Sequence, residues 1–231
     1  MTLGELAFSC YIFSKIDNGQ YEEFREKVNS LKFIEGNDYH ELLVLLNKYW
    51  NCRLPKKSLG DLGKKLEAWH NKYRDHLFSE NKYLSELNDK DLSLAAEAYG
   101  ELLKCKVKYD IANNESNKKR FMSFGPTTAA KILFALRPNA LPPWDKAIRE
   151  ELFNEDLING DKQELYLSYL KHIQKVICKL QKTYGETLQN WRHKLNRPLS
   201  KLIDEYYWIT KTRNIHPPAK DVLQRWAKWS E

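Results

Sequence analysis

Apolar side chains return every three or four residues along most of this chain, and that period constrains its fold more than any other feature. Leu3, Leu6, Ala7, Cys10 and Phe13 set it first; Tyr39, Leu42, Leu43 and Leu46 repeat it, as do Leu59, Leu62, Leu66, Trp69 and Tyr73, then Leu92, Ala96, Tyr99 and Leu103. It resumes at Leu167, Leu170, Ile173, Ile177 and Leu180, at Leu199, Leu202, Ile203 and Tyr206, and at Val222, Leu223 and Trp226. Such spacing puts one apolar stripe on each of a series of α-helices, whereas a half-buried strand would alternate with period two. No such alternation is evident, so the chain is expected to be all-α. With 9 glycines and 8 prolines in 231 residues the breaks are few: Asn18-Gly19, Glu35 to Asn37, Arg53 to Lys57, Ser79 to Asn81, Leu87 to Lys90, Asn113 to Asn117, Asn159-Gly160, Asn196 to Pro198 and Pro217-Pro218.

These breaks predict a central helical unit over residues 37–150, with the helices of residues 1–36 folding back to join those of 151–231. A chain of this length and 42% hydrophobic content can bury one substantial core or two closely packed units. The formal charge of +7 favours a polyanionic partner without demanding one. Cys10, Cys52, Cys105 and Cys178 lie too far apart for a C-x-x-C metal or cluster site, and His70 and His76, six apart, have no cysteines nearby. No metal or other cofactor is expected. Glu5 interrupts the first apolar run, no basic leader precedes it, and no apolar stretch approaches about 18 residues. An intracellular protein, cytoplasmic or nuclear and outside the membrane, is therefore expected.

One stretch carries chemistry: residues 120–149, RFMSFGPTTAAKILFALRPNALPPWDKAIR. Gly125 reads as a turn, with Pro126 at the first helical position, where a fixed φ and a missing N–H cost nothing. The N–H groups of Gly125, Thr127 and Thr128 would then face outward at the positive end of a helix dipole, suited to a phosphate oxygen. Eighteen residues beyond Thr127, a second helix opens from Leu141-Pro142-Pro143-Trp144 with Asp145 at its start.

The segments FMSFGPTTA and PWDKAIR resemble the helix-hairpin-helix DNA glycosylase superfamily, in which an L-P-G-h-G-x-x-T-A turn precedes a P-x-D segment bearing the catalytic aspartate. The close resemblance spans about thirty residues, with a looser one through the middle of the chain. It implies a two-lobed helical fold with a helix-hairpin-helix motif, DNA and an extruded base being held in the cleft between lobes. It also implies hairpin contacts to DNA from Ser123, Phe124, Gly125, Thr127, Thr128 and Lys131, and catalysis by Asp145. Three positions depart from the pattern. Ser123 stands for the first turn glycine, and Ala147 for a commonly polar residue. Thr127 stands for the lysine that forms a Schiff base in bifunctional members, so no lyase activity is expected. The four-cysteine iron-sulfur loop of some members is missing. The helix ELLVLLNKYWN at 41–51 is similar to the family's early helix, whose end fills the gap left by the extruded base, a role that would fall to Asn51.

The chemistry itself asks for little more. As a glycosidic bond breaks, the sugar becomes cation-like, and one carboxylate beside C1′ can stabilise that charge and orient or deprotonate the attacking water. Asp145 has a plainer alternative as a helix N-cap, which Asp after two prolines commonly is. The Gly125 turn could likewise begin an ordinary buried helix packed through Ala129 and Ala130. Lys131 and the run Lys118-Lys119-Arg120 favour phosphate contacts, although a solvated charge run is the simpler account of the latter. An extruded base needs aromatic or apolar walls, for which Tyr49, Trp50 and Trp144 are candidates; Tyr206-Tyr207-Trp208 reads rather as an apolar seam. The function expected is that of a monomeric, monofunctional DNA N-glycosylase acting on a damaged or modified base. The alternatives are a DNA-binding protein of the same fold without excision, and a helical protein-interaction module. Which base is excised is not written in any linear motif.

Overall fold

The computed structural model describes residues 1–33, 37–109, 120–219 and 221–223. Among them are ten α-helices: α1 Leu3–Asp17, α2 Gln20–Ser30, α3 Asn37–Trp50, α4 Leu59–Tyr73, α5 Asp89–Lys104, α6 Pro126–Leu136, α7 Lys146–Leu152, α8 Glu155–Asn159, α9 Lys162–Leu195 and α10 Leu199–Tyr207. The protein is thus mostly helical, as its apolar period requires. Helix ends follow local chemistry. Thr2 and Glu5 form a capping box on α1, and Asn88 and Asp91 form another on α5. Asn18 and Asn196 end α1 and α9 in the left-handed region, with φ of 50° at each, a conformation asparagine tolerates better than most residues.

Two features depart from the sequence reading. A small antiparallel hairpin pairs β1 Lys106–Tyr109 with β2 Arg120–Ser123, where no strand was expected. Four-residue strands are too short for a two-residue period to stand out from its surroundings, but the alternation is there: Val107 and Met122 pair on the face turned to the core, Lys108 and Phe121 on the other. In consequence, the element that enters the Gly125 turn through Arg120–Ser123 is a strand. A helix follows the turn, but a helix does not immediately precede it. Lys118, Lys119 and Trp226 lie outside the described residues.

One contiguous buried cluster runs from Leu3 to Tyr207 and takes residues from nearly every helix. Within it α5 lies along α9, α3 crosses α4, and α1 packs on both α10 and α9, while α2 packs on α3. The α3–α4 crossing is close enough that a Cβ on Gly63 would come within 3.2 Å of the His40 nitrogen. A second small cluster of Phe13, Tyr21, Phe134 and Ile209 ties the end of α1 to α6 and to the segment after α10. That segment, Trp208–Thr212, is π-helical, closed by the Arg213 N–H donating to the Trp208 carbonyl at 2.9 Å. Such wide turns are rare and concentrate at functional sites. Among the described residues no helix is long and apolar enough to cross a membrane.

Candidate functional site

The start of α6 is open. Gly125 is its N-cap, in extended backbone (φ −70°, ψ 166°), and no side chain caps the turn. Glycine is therefore not required by the backbone here; what it provides is space, since a Cβ at this position would meet nothing within 4 Å. The helical ladder begins with the Ala129 N–H on the Gly125 carbonyl at 2.9 Å, leaving the N–H groups of Thr127 and Thr128 without intrahelical partners. The side chains around them are otherwise engaged. Phe124 and Thr128 are buried, and Ala129 and Ala130 lie in the core, which α5 and α6 share. Thr127 Oγ1 accepts from Arg149 at 3.1 Å, while Ser123 ends β2. What this turn offers an anion among the described residues is chiefly backbone, the N–H groups of Thr127 and Thr128.

Lys131, one turn further on, points elsewhere than expected for a phosphate ligand. Its Nζ donates to the Trp50 carbonyl at 2.8 Å, satisfying the C-terminus of α3, and lies 5.7 Å from the Trp50 ring centre. Beyond it the chain turns through Asn51 and Arg53, both exposed and both left-handed, with φ of 49° and 57°. For arginine that backbone is costly. The Asn47 amide holds the loop, donating to the Leu54 carbonyl and accepting from its N–H, each at 2.8 Å.

Asp145 does cap α7: Oδ1 accepts from the Ile148 N–H at 3.0 Å. Its other oxygen, Oδ2, accepts from Thr212 Oγ1 at 2.6 Å, so the π-helical turn fixes the carboxylate from the far side. The approach to it is also fixed. Tyr169 donates to the Pro143 carbonyl at 2.8 Å, and the Trp144 ring is 1% exposed, packed by Tyr169, Tyr166, Tyr99 and Phe153. Trp144 therefore serves as floor rather than as a free stacking face. The Arg149 guanidinium lies 5.3 Å from its ring centre and links α7 to the start of α6 through Thr127.

Asp145 opens onto a cleft of about 410 Å³, lined by five separate parts of the chain. Tyr49, Trp50 and Asn51 come from the end of α3, Lys131 from α6, and Pro143, Trp144, Asp145 and Ile148 from the α7 entry. Six of the expected site residues thus converge in one cavity. Ser123, Phe124, Gly125, Thr127 and Thr128 do not line it. The remaining walls went unanticipated: Phe13, Ile16 and Asp17 at the end of α1 and Gln20 at the start of α2, with Lys201, Asp204, Trp208 and Arg213. Phe13 meets Trp208 edge-on at 5.6 Å, and Trp50 is stacked on Phe24 at 4.4 Å.

Beneath this cleft α10 carries charges that sequence alone would place in solvent. Lys201 Nζ lies 2.9 Å from Asp204 and 3.6 Å from Glu205, whose carboxylate also takes Arg197 at 3.0 Å; Arg197 in turn pairs with Glu22. Arg197, Lys201, Asp204 and Glu205 are all buried. Burial pulls the Lys201 ammonium down, but Asp204 and Glu205 more than offset it and hold it above its ordinary range. Burial raises Asp204, only partly opposed by Lys201, and the negative charge of Asp145 pushes it further in the same direction. Of the three carboxylates that line the cleft, Asp17, Asp145 and Asp204, the charge of Asp145 thus reaches Asp204. Among the described residues no group of three or more His, Cys, Asp or Glu is placed to hold a metal ion. No family model, curated protein or solved structure matches the chain.

Proposed function

We propose that this protein is a monofunctional DNA N-glycosylase of the helix-hairpin-helix kind, hydrolysing the glycosidic bond of a damaged or modified base turned into the Asp145 cleft. In this reading residues 37–150 form one lobe, residues 1–36 with 151–231 the other, and the cleft lies between. One observation carries it: Asp145, Lys131, Trp50, Tyr49 and Asn51, chosen from sequence for different parts of one reaction, line the same cavity. The capping bond and the Thr212 bond use one lone pair on each Asp145 oxygen, so each retains another for water or for the developing sugar cation. The open backbone at the start of α6 suits a phosphate of the same strand, and the exposed Asn51 the gap left in the duplex.

The state of the amines at hand supports hydrolysis over lyase chemistry in this reading. An imine needs an unprotonated amine, and Lys201 is held protonated by two buried carboxylates. Lys131 is committed to the Trp50 carbonyl, and Lys146 is exposed beside Glu150 at 3.4 Å. One observation favours a second reading, a DNA-binding protein without excision: the Ile148 N–H gives Asp145 a structural reason to be where it is. A panel of duplexes, each with one altered base, scored for free base and then for alkali-labile sites, separates the two. Base release that depends on Asp145 supports the enzyme. Salt-sensitive binding with no release from any duplex supports the binder, and absence of DNA affinity overturns both.

A further inference from the structure

Phe121 is the most exposed large apolar side chain among the described residues, at 62%, and it stands where a polar residue belongs. In the β1–β2 register it faces Lys108 across the hairpin, on the side away from Val107 and Met122, with Lys106 and Ser123 at the next position of the same parity. Among the described residues there is no second sheet to cover that face. The ring is instead touched by a cation, the Lys108 Nζ lying 5.8 Å from its centre.

The surroundings are basic. β1 packs against the turn Lys56–Ser58, where Lys56 and Lys57 are exposed, as are Lys106 and Lys108. None of these four lysines is in an ion pair among the described residues. Along the chain the patch adjoins elements of the candidate site in two places: β2 runs through Phe124 into the open start of α6, and Lys56–Ser58 follows the loop that bears Asn51 and Arg53. An aromatic ring amid unpaired ammonium groups suits a polyanion whose monomers also carry flat apolar faces, which is to say nucleic acid. A protein partner for such a face would need an acidic rim around an apolar centre.

We infer that the β1–β2 hairpin is a second nucleic-acid contact, in which Phe121 stacks on a base of an unstacked step while Lys56, Lys57, Lys106 and Lys108 meet phosphates. It rests on the glycosylase reading in one respect, that the strand is DNA opened at the cleft. The ring supplies stacking and no base identity, so it widens the grip without choosing the lesion.

The test uses the full chain and a fluorescein-labelled duplex of about 20 base pairs with one central mismatch, titrated across a salt series. Phe121→Ala should lose about 5- to 150-fold in affinity with an unchanged salt slope, and Phe121→Trp should restore it, because the lost contribution is a stack. Lys106→Glu with Lys108→Glu should flatten the slope of log affinity against log salt by roughly 1.8, about 0.9 for each phosphate released. Phe121 is exposed, so melting of all variants should match the unaltered chain. Undiminished affinity of Phe121→Ala, with the unaltered chain binding the duplex, overturns the inference and leaves excision at Asp145 standing. A dimer in light scattering that Phe121→Ala dissolves, with DNA affinity unmoved, also overturns it, in favour of protein docking. Phe121-dependent DNA binding with no base released from any duplex keeps the inference and removes the glycosylase reading. Absence of DNA affinity in the unaltered chain removes both.

Discussion

Asp145→Asn separates the capping role of this carboxylate from the catalytic one proposed for it. Asparagine keeps an oxygen for the Ile148 N–H, and its amide can donate to Thr212 Oγ1, the hydroxyl turning from donor to acceptor. Asn caps helices about as well as Asp, so the fold should lose less than about 0.5 kcal/mol, about 2 °C or less in melting temperature for a chain of this size. The charge, however, is gone. Single-turnover base release should fall about 10²- to 10⁴-fold, the range for losing a group that stabilises charge or takes a proton at the transition state. Asp145→Ala should lose the same activity and also the cap, about 1–2 kcal/mol. Thr212→Val keeps cap and charge but frees Oδ2, and should cost up to about 10²-fold through misplacement alone. Melting by circular dichroism and base release are measured in one buffer on all three variants. A pure cap would make Asn indistinguishable from Asp in both assays. Base release by Asp145→Asn at the unaltered rate refutes the catalytic assignment.

Three further outcomes are expected. Gly125→Ala should change stability by less than about 0.5 kcal/mol, because the backbone there is extended and the space empty but alanine is a poorer N-cap than glycine, while Gly125→Leu should weaken binding to all duplexes alike; unchanged affinity in the leucine variant would remove α6 from the proposed interface. Glu205→Ala should cost about 3–5 kcal/mol in urea unfolding, because it leaves Arg197 and Lys201 buried and short of an anion; a loss under about 1 kcal/mol would mean that Glu205 is not what offsets the burial of these two cations. Burial brings His70 down to about 4, against about 6.5 for an unfolded histidine, so the unfolded chain takes up a proton first as pH falls. Stability from this residue is full above pH 6.5 and is lost towards pH 4, by about 1–2 kcal/mol once screening by the adjoining open cleft is allowed for, and His70→Gln should flatten the decline.

What the sequence made legible was whatever a period or a local motif encodes. The 3–4 spacing located the long helices, Asn18 and Asn196 marked two of their ends, and Asp145 fell at a helix start as Pro142-Pro143 suggested. Trp144 was legible as a neighbour of Asp145 but not as a buried floor, because aromatic content does not say which ring other rings will cover. The charges of α10 were illegible for a physical reason: Lys201, Asp204 and Glu205 have the spacing of an ordinary solvated helix face, and tertiary packing, above all of α1 and α9 against α10, takes them out of water. Thr212 carries no motif at all. Its hold on Asp145 exists because a wide π turn brings it there. The β1–β2 hairpin was hidden by brevity, and with it the exposure of Phe121.

The packing of α1 against α10 also orders events in time. Cys10 on α1 meets the Leu202 carbonyl, 192 residues later, and at about 5–20 residues per second a ribosome needs about 10–40 s to make what lies between. Through that interval Leu6, Ala7, Cys10 and Phe13 have been synthesised but the helix that covers them has not. The end of α1 and, from α10, Lys201 and Asp204 are adjoining walls of the Asp145 cleft, so the site is complete only when the chain's late segment docks on its early one. Fragments ending before α10 would bear Asp145, Lys131 and Asn51 and still have no cleft. A nascent chain would accordingly present its apolar first helix to chaperones long before it could grip a substrate.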